Sequence, residues 1–224
     1  SILVINYAQS QNKPSIDNYP YGSLDVNVMV IPFGMEYPIK IGTMSKSGEI
    51  HFDIPKELPK MSKETEENFM NDVAYTLFDV CDNASDMISD KENIKSVDTG
   101  ALSLWMSDDR YVGVIFSVSD EKLMPWVEDS SYMEPVLESY FELIYVASSF
   151  QYKGECIQTQ MLDEGETQIT YSFHLNLKAG FNFIEYKIES IHKTDPNIMA
   201  SFPDKVSVTS VEGIPNCKWI GKYF

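Results

Sequence analysis

The stretch from Thr167 to Glu189, TQITYSFHLNLKAGFNFIEYKIE, constrains the fold of this chain more than any other. Its first half alternates with a period of two, which is typical of a strand with one buried and one solvated face. The apolar parity consists of Ile169, Tyr171, Phe173, Leu175 and Leu177. Lys178-Ala179-Gly180 predicts a tight turn in which Gly180 supplies a positive φ. The stretch therefore predicts a long β-hairpin in a mainly β protein.

In the return arm of this predicted hairpin, the apolar side chains switch from one face of the strand to the other. Phe181 and Phe183 lie on one side, whereas the later apolar residues Ile184, Tyr186 and Ile188 lie on the other. A change of this kind predicts a β-bulge near Phe183-Ile184. Upstream, Ser139 to Phe150 is apolar on both parities, which indicates a central strand, and Tyr152 to Met161 follows after a short turn. We expect these four segments to form an antiparallel meander.

Shorter alternating segments occupy the first part of the chain. LDVNVMVIPF is followed by IKIGTMSKSGEIHFDIP, in which a turn at Gly48 separates two strands and Pro55 ends the second. This order, with Gly42-Thr43 leading to Gly48 and Pro55, resembles the prealbumin-like β-sandwich of carboxypeptidase regulatory-like domains over roughly the first 60 residues. Ser45-Lys46-Ser47 stands where that family usually has an acidic residue. The resemblance implies a noncatalytic structural or adhesive module of an exported bacterial protein.

A second resemblance involves the end of the chain. SFHLNLKAGFNFIEYKI, with Lys218-Trp219 in a terminal strand, is similar to exported lipoproteins of unknown function from Gram-negative gut bacteria. Phe181 stands where those proteins usually carry Trp. The resemblance covers about residues 167–224 and implies an exported location without assigning an activity.

Ser62 to about Ser89 predicts one long helix. Ser62 is a suitable N-cap and the following glutamates suit the positive end of the helix dipole. An apolar stripe, Phe69, Val73, Leu77 and Val80, predicts a core-facing side. We therefore predict antiparallel β-sandwiches with one long bridging α-helix. The expected divisions are a prealbumin-like sandwich at 1–60, an acidic helix and linker at 61–96, and a meander sandwich or partial barrel at 97–224.

Charge and hydropathy exclude several classes of partner. The chain has 224 residues and a formal net charge of −17, from 34 acidic and 17 basic residues. Such a field repels nucleic acid and anionic membrane surfaces. No apolar run reaches the roughly 18 residues that span a bilayer. Ile2 to Ala8 is expected to be a first β-strand, the alternative being the remnant of a signal peptide. A lipid anchor upstream of the sequence is left open.

The three cysteines, Cys81, Cys156 and Cys217, match no metal-binding spacing. We expect three separate thiols that behave as small hydrophobic side chains. If a disulfide forms, Cys156–Cys217 is the expected pair because both residues lie in the second half of the chain.

No local motif carries a specific chemistry. The sequence has no Gly-x-Ser-x-Gly elbow, no His-Glu-x-x-His helix, no Walker loop and no Rossmann glycine set. We therefore predict no catalytic residue, no metal and no cofactor. A hydrolase acting on a glycan or peptide through two carboxyl groups is the alternative.

Aromatic residues outside the alternating segments give the one hint of a binding site. Their flat rings stack on sugars or anchor a protein partner at low entropic cost, the alternative being that they cover the ends of a sandwich. The expected ligand-binding residues are Trp126, Tyr132, Trp219, Tyr19 and Tyr21. The leading prediction is a noncatalytic exported binding protein, located in the periplasm, on the outer membrane or outside the cell. Its partner would be a glycan or a surface protein. A subunit of a surface fibre or pore-forming assembly is a further alternative.

Overall fold

The computed structural model describes residues 13–17, 19–20, 22, 24–87, 94–162, 165–195, 197 and 199–224. About 49% of the described residues are strand and 11% helical, so the predicted mainly β class is confirmed. The strands are β1 (Val26–Val30), β2 (Ile39–Met44), β3 (Ile50–Phe52), β4 (Asn71–Asp72), β5 (Lys95–Asp98), β6 (Leu102–Trp105), β7 (Tyr111–Val118), β8 (Ser139–Val146), β9 (Phe150–Leu162), β10 (Gly165–Leu177), β11 (Gly180–His192), β12 (Phe202–Val211) and β13 (Lys218–Tyr223).

The described helices are short. They are α1 (Lys63–Phe69), α2 (Ala74–Leu77), α3 (Ala84–Met87) and α4 (Met124–Glu128), the last preceded by a 3₁₀ turn at Glu121–Leu123. Within the described ranges, no helix has the length and apolar character needed to cross a bilayer.

The strands form one large mixed sheet in the order β3-β2-β1-β6-β7-β8-β11-β12-β10-β9. Strand β13 pairs with β7, β5 pairs with β8, and β4 pairs with β5. A single residue pair, Val118 with Tyr140, connects β7 to β8 and so joins the two halves of the sheet. The central position expected for the Ser139–Phe150 segment is confirmed for β8, which ends at Val146, since Phe150 begins β9. The predicted sandwich is not confirmed.

The predicted Thr167–Glu189 hairpin is wrong. The alternation along β10 and the positive φ of Gly180 (107°) are confirmed. However, β12 lies between β10 and β11, parallel to the first and antiparallel to the second. The predicted meander therefore fails here, because β12 supplies the hydrogen-bond partners of both arms. It also fails between β8 and β9, since β8 pairs with β11 and β9 pairs with β10.

The predicted bulge near Phe183-Ile184 is also wrong. Strand β11 pairs with β8 without a shift from Gly180 opposite Val146 to Lys187 opposite Ser139. Phe183 and Ile184 are both buried because the two faces of β11 contact different apolar clusters. Cluster 1 includes Phe183 and residues of β1, β2 and β6, and cluster 2 includes Ile184 and residues of α2 and β10. The apolar side chains switch faces along β11 because both faces of this strand are buried.

Three short helices replace the predicted long helix in the described part of residues 62–89. Ser62 is confirmed as the N-cap of α1, since its Oγ accepts a hydrogen bond from the N–H of Thr65 (3.1 Å). The helix ends at Phe69, and Asn71–Asp72 pairs with Lys95 and Ser96 of β5. Pairing of this backbone with the sheet prevents the helix from continuing. Residues 88–93 lie outside the described part of the chain.

The disulfide joins Cys81 to Cys156, with Cα atoms 5.6 Å apart, and Cys217 is a half-buried thiol. The expectation of three separate thiols and the alternative pair Cys156–Cys217 were both wrong. Cys156 lies on the face of β9 that the α2–α3 segment covers, so its partner comes from an element distant in sequence. The predicted first strand, Ile2 to Ala8, lies outside the described residues.

Candidate functional site

Two separate segments pack against one face of the second half of the sheet, which consists of β8, β11, β12, β10 and β9. The α2–α3 segment covers part of it with side chains of cluster 2, such as Leu77 and Phe78. Helix α4 contributes Trp126 and Val127 to a smaller cluster around Val118, Leu123 and Ile188. Tyr140 packs against both clusters, so it lies between the two covers.

Aromatic rings line the space between the covers. Tyr140 on β8 pairs across the strands with Tyr186 on β11, and their rings stack with centroids 4.9 Å apart and an interplanar angle of 5°. The Trp126 ring lies 5.9 Å from the Tyr140 ring. We call the site formed by Trp126, Tyr140, Tyr171 and Tyr186 the tyrosine cleft. Its aromatic members come from four elements, because Tyr171 lies on β10.

A cavity of about 420 Å³ opens beside these rings. Trp126, Tyr140 and Tyr171 line it together with the side-chain amides of Gln158 and Gln160. The volume falls within the range of small-molecule sites, and the lining combines apolar faces with a few polar groups, as such sites do.

The indole N–H of Trp126 is a buried donor with no hydrogen-bond partner among the described residues. Buried donors are nearly always paired in folded proteins, and an unpaired one costs free energy. Trp126 lines the cavity, but its N–H exposes less than 1 Å², so a ligand acceptor reaches this donor only after a local shift of the side chain.

Glu142 lies two residues after Tyr140 on β8, on the same face of the sheet, and opposite Ile184. Glu142 is exposed by surface area and lines a neighbouring cavity of about 270 Å³ together with Asp98 and Tyr140, and this concave setting removes part of the hydration of its carboxylate. This desolvation, with the negative charges of Asp98 and Asp79, raises the pKa of Glu142 to about 7. The nearby Tyr186 hydroxyl opposes the shift. Near neutral pH the carboxyl group thus exists in both its donor and its acceptor form.

The tyrosines stay protonated at neutral pH. Desolvation, together with the Glu142 charge, holds the phenol pKa values of Tyr140 and Tyr186 well above their usual range. Desolvation also raises the pKa of Tyr171. The cleft therefore presents neutral phenols. In the described part of the chain, no group of three or more His, Cys, Asp or Glu side chains is arranged to hold a metal ion.

The structure distributes the predicted ligand-binding residues over different environments. Trp126 lines the tyrosine cleft, whereas Tyr132 is 80% exposed and outside the cavity lining. Trp219 is 4% exposed and packs in cluster 1, its ring 5.1 Å from that of Phe52. The Tyr19 hydroxyl donates to the Leu24 carbonyl (2.7 Å), and Tyr21 lies outside the described residues. Of these residues, Trp126 is the one we retain in the site.

Sequence reasoning missed Tyr140, Glu142, Tyr171 and Tyr186. A signal for Glu142 was present, because a lone carboxylate on a strand that is apolar on both parities is unusual. No local signal shows that Tyr140 and Tyr186 lie side by side, since their strands are separated by β9 and β10 in the sequence.

A second aromatic surface was also missed. The rings of Trp105 and Tyr111 lie 5.3 Å apart, and those of Tyr111 and Phe224 lie 5.4 Å apart. Tyr111 and Phe224 are 45% and 69% exposed. We call these three residues the aromatic strip. It crosses the outer side of the first half of the sheet, where Asn27 of β1 is paired with Trp105.

Comparison of this chain with protein-family models, with curated proteins and with solved structures found no match.

Proposed function

We propose that this chain is a noncatalytic exported binding protein and that its tyrosine cleft binds a carbohydrate. The observation that carries the proposal is the position of Trp126, whose ring packs near Tyr140 while its buried indole N–H has no described partner. A sugar meets both requirements, because its apolar face stacks on an aromatic ring and its hydroxyl oxygens accept hydrogen bonds.

The other groups of the cleft suit the same ligand. The amides of Gln158 and Gln160 can donate to and accept from hydroxyl groups. The Glu142 carboxyl lies in the neighbouring cavity of about 270 Å³, which shares Tyr140 with this one. A volume of about 420 Å³ accommodates a ligand of one or two sugar rings.

Export is supported by the Cys81–Cys156 bond, because disulfides form and persist in oxidising compartments. The resemblances to prealbumin-like sandwiches and to exported lipoproteins point the same way. We therefore propose a location in the periplasm, on the outer membrane or outside the cell, with a surface glycan as the partner.

A hydrolase acting on a glycan is the second candidate function, and the environment of Glu142 favours it. A carboxyl group with a pKa of about 7 is suited to general acid catalysis. Asp98 and Asp79, whose charges act on Glu142, could supply the second carboxyl that glycoside hydrolysis requires.

A glycan-array screen followed by calorimetry on the best ligand tests the binding proposal. Trp126→Ala is expected to weaken binding at least about tenfold, since a lost stacking contact and a hydrogen bond together exceed 1.4 kcal/mol. Tyr132→Ala is the matched control, because Tyr132 is exposed and outside the cavity lining. Binding that Trp126→Ala leaves unchanged, or no binding at all, would overturn the proposal. Loss of binding in Tyr111→Ala would move the site to the aromatic strip.

The same ligands distinguish binding from hydrolysis. Each is incubated with the native protein and with Glu142→Gln between pH 5 and 8, and products are measured by mass spectrometry. The binding proposal expects no product from either protein. Product from the native protein alone, with ligand affinity retained in Glu142→Gln, would establish the hydrolase.

A further inference from the structure

The cavity of about 420 Å³ beside the tyrosine cleft has an apolar floor. Ile169 on β10, Ile188 on β11 and Val206 on β12 line it, and all three side chains are buried. Val206 is the cross-strand partner of both Ile188 and Tyr171, and Ile169 lies two residues before Tyr171. The three strands therefore present these side chains on one face of the sheet. We call Ile169, Ile188 and Val206 the apolar floor.

The segment that leads into β12 adds further apolar groups to the same cavity. Met199, Ala200 and Phe202 line it. The N–H of Met199 donates to the Asp195 carbonyl (3.1 Å), and its carbonyl accepts from the Thr194 hydroxyl (2.7 Å). These bonds hold the main chain, whereas the unbranched Met199 side chain can adapt to a small apolar substituent of a ligand.

The polar groups of the described lining are neutral. Gln158 and Gln160 lie on β9, at the edge of the sheet, and Ser130 and Ser131 follow α4. The Tyr171 hydroxyl donates to Oε1 of Gln158 (3.5 Å), which leaves the Nε2 group of this amide as a donor for a ligand. The cavity thus combines a hydrocarbon floor with amide and hydroxyl groups.

The charge of the lining restricts the ligand further. None of the described residues that line this cavity carries a charge. An ionic group buried here without a partner would lose its hydration at a large cost in free energy. Desolvation also raises the pKa of the Tyr171 phenol, which agrees with a poorly hydrated interior. The net charge of −17 further disfavours an anion. The described lining therefore favours an uncharged ligand.

We propose that the preferred ligand is a neutral 2-acetamido sugar, an inference that rests on the carbohydrate-binding proposal above. The methyl of the acetamido group would pack on Ile188, Val206 and Met199, and its carbonyl would accept a hydrogen bond from Gln158. The sugar ring would stack on an aromatic ring of the tyrosine cleft. A plain hexose fits this cavity less well, because it places a hydroxyl group against the apolar floor. An acetamido group buries a methyl there instead.

Calorimetry with matched methyl glycosides tests this preference. Each N-acetylhexosamine is compared with its parent hexose, in both the gluco and the galacto series. The corresponding amino sugars and uronic acids serve as charged analogues. In at least one series, the acetamido sugar is expected to bind at least about tenfold more tightly than the parent hexose, since it gains both a buried methyl group and a hydrogen bond. The charged analogues are expected to bind at least about tenfold more weakly than the acetamido sugar, because their charge has no partner in the described lining.

The same titrations separate this inference from the carbohydrate proposal. Parent hexoses or charged analogues that bind as tightly as the acetamido sugars would overturn the acetamido preference and leave carbohydrate binding standing. Absence of binding by every glycoside would overturn both.

Met199→Gln tests where the acetamido group binds. Glutamine resembles methionine in shape but is polar, so the affinity ratio of acetamido sugar to hexose is expected to fall at least about threefold. Met161→Gln is the matched control, because Met161 is 77% exposed and outside the described cavity lining. In the native protein with labelled Ile and Val methyl groups, the acetamido methyl is expected to show nuclear Overhauser effects to Ile188 and Val206. An unchanged affinity ratio in Met199→Gln, or effects confined to residues outside the cavity, would overturn the proposal.

Discussion

The carboxylate of Asp82 accepts hydrogen bonds from both the backbone N–H and the hydroxyl of Thr159, at 2.9 and 2.6 Å. The N–H of Asp82 in turn donates to the Ile157 carbonyl (2.9 Å). Thr159 and Ile157 lie on β9, the last strand of the sheet. Asp82 therefore forms hydrogen bonds with part of the outer edge of β9. The adjacent Cys81–Cys156 disulfide holds Asp82 in place. These contacts leave fewer backbone groups of β9 free to pair with another chain.

Asp82→Ala is expected to expose this edge. The Thr159 amide should exchange faster with solvent, because its acceptor is removed. The hydrogen bonds from Thr159 lower the pKa of Asp82, so the interaction is present above the usual Asp pKa of about 3.9 and is lost as pH falls below it. Hydrogen exchange at pH 7 measures the effect. Asp86→Ala, an exposed carboxylate on α3, is the control; equal exchange at Thr159 in both variants would contradict the capping role.

Cys81→Ser is expected to destabilise the protein by about 4 kcal/mol, because the disulfide closes a loop with a sequence separation of 75 residues. Urea unfolding of the variant and the native protein measures the difference. Cys217→Ser provides a control that leaves the disulfide intact. If reductant lowers the stability of Cys81→Ser as much as that of the native protein, the bond is not the source of the difference.

Glu142→Gln is expected to change how stability depends on pH. The pKa of Glu142 is raised in the folded state, so the folded protein favours the neutral carboxyl and loses stability as pH rises from about 4.5 to about 7. Glutamine removes this loss. The variant should match the native protein near pH 4 and exceed it by on the order of 1 kcal/mol at pH 8, the full shift being reduced by solvent screening. Denaturant unfolding at both pH values measures the difference; an advantage confined to pH 4 would contradict the assignment.

Trp219→Ala is expected to cost about 3–5 kcal/mol, because the ring is buried among Phe52 and Phe183. Tyr132→Ala should change the unfolding free energy by less than about 0.5 kcal/mol, since Tyr132 is largely exposed. Thermal and urea unfolding compare the two. A small effect of Trp219→Ala would contradict its place in cluster 1.

The alternation along Ile169–Leu177 predicted a strand correctly because a period of two records which face of a strand is buried. The same logic failed at Phe183-Ile184, where two adjacent apolar residues enter different clusters. Ser62 was identified as a helix cap from local chemistry. The end of that helix was not predicted, because it depends on the pairing of Asn71–Asp72 with β5, which follows more than 20 residues later.

The candidate site was less accessible to sequence reasoning than the fold class. Trp126 was singled out as an aromatic residue in a long connection, and the structure places it in the tyrosine cleft. The cleft itself depends on Tyr140, Tyr171 and Tyr186, which the sequence places on separate strands. Their proximity follows from the order of β8, β11, β12 and β10 in the sheet.

The sequence by itself determined that this chain is mainly β, that β10 has one apolar face, and that Gly180 turns the chain. Each of these properties depends on neighbouring residues, through side-chain alternation or backbone φ. Tertiary structure decided that β12 lies between β10 and β11, that Cys81 bonds Cys156, and that desolvation and nearby carboxylates raise the pKa of Glu142. These depend on contacts between residues far apart in the chain, whose pairing is selected by the packing of the whole molecule.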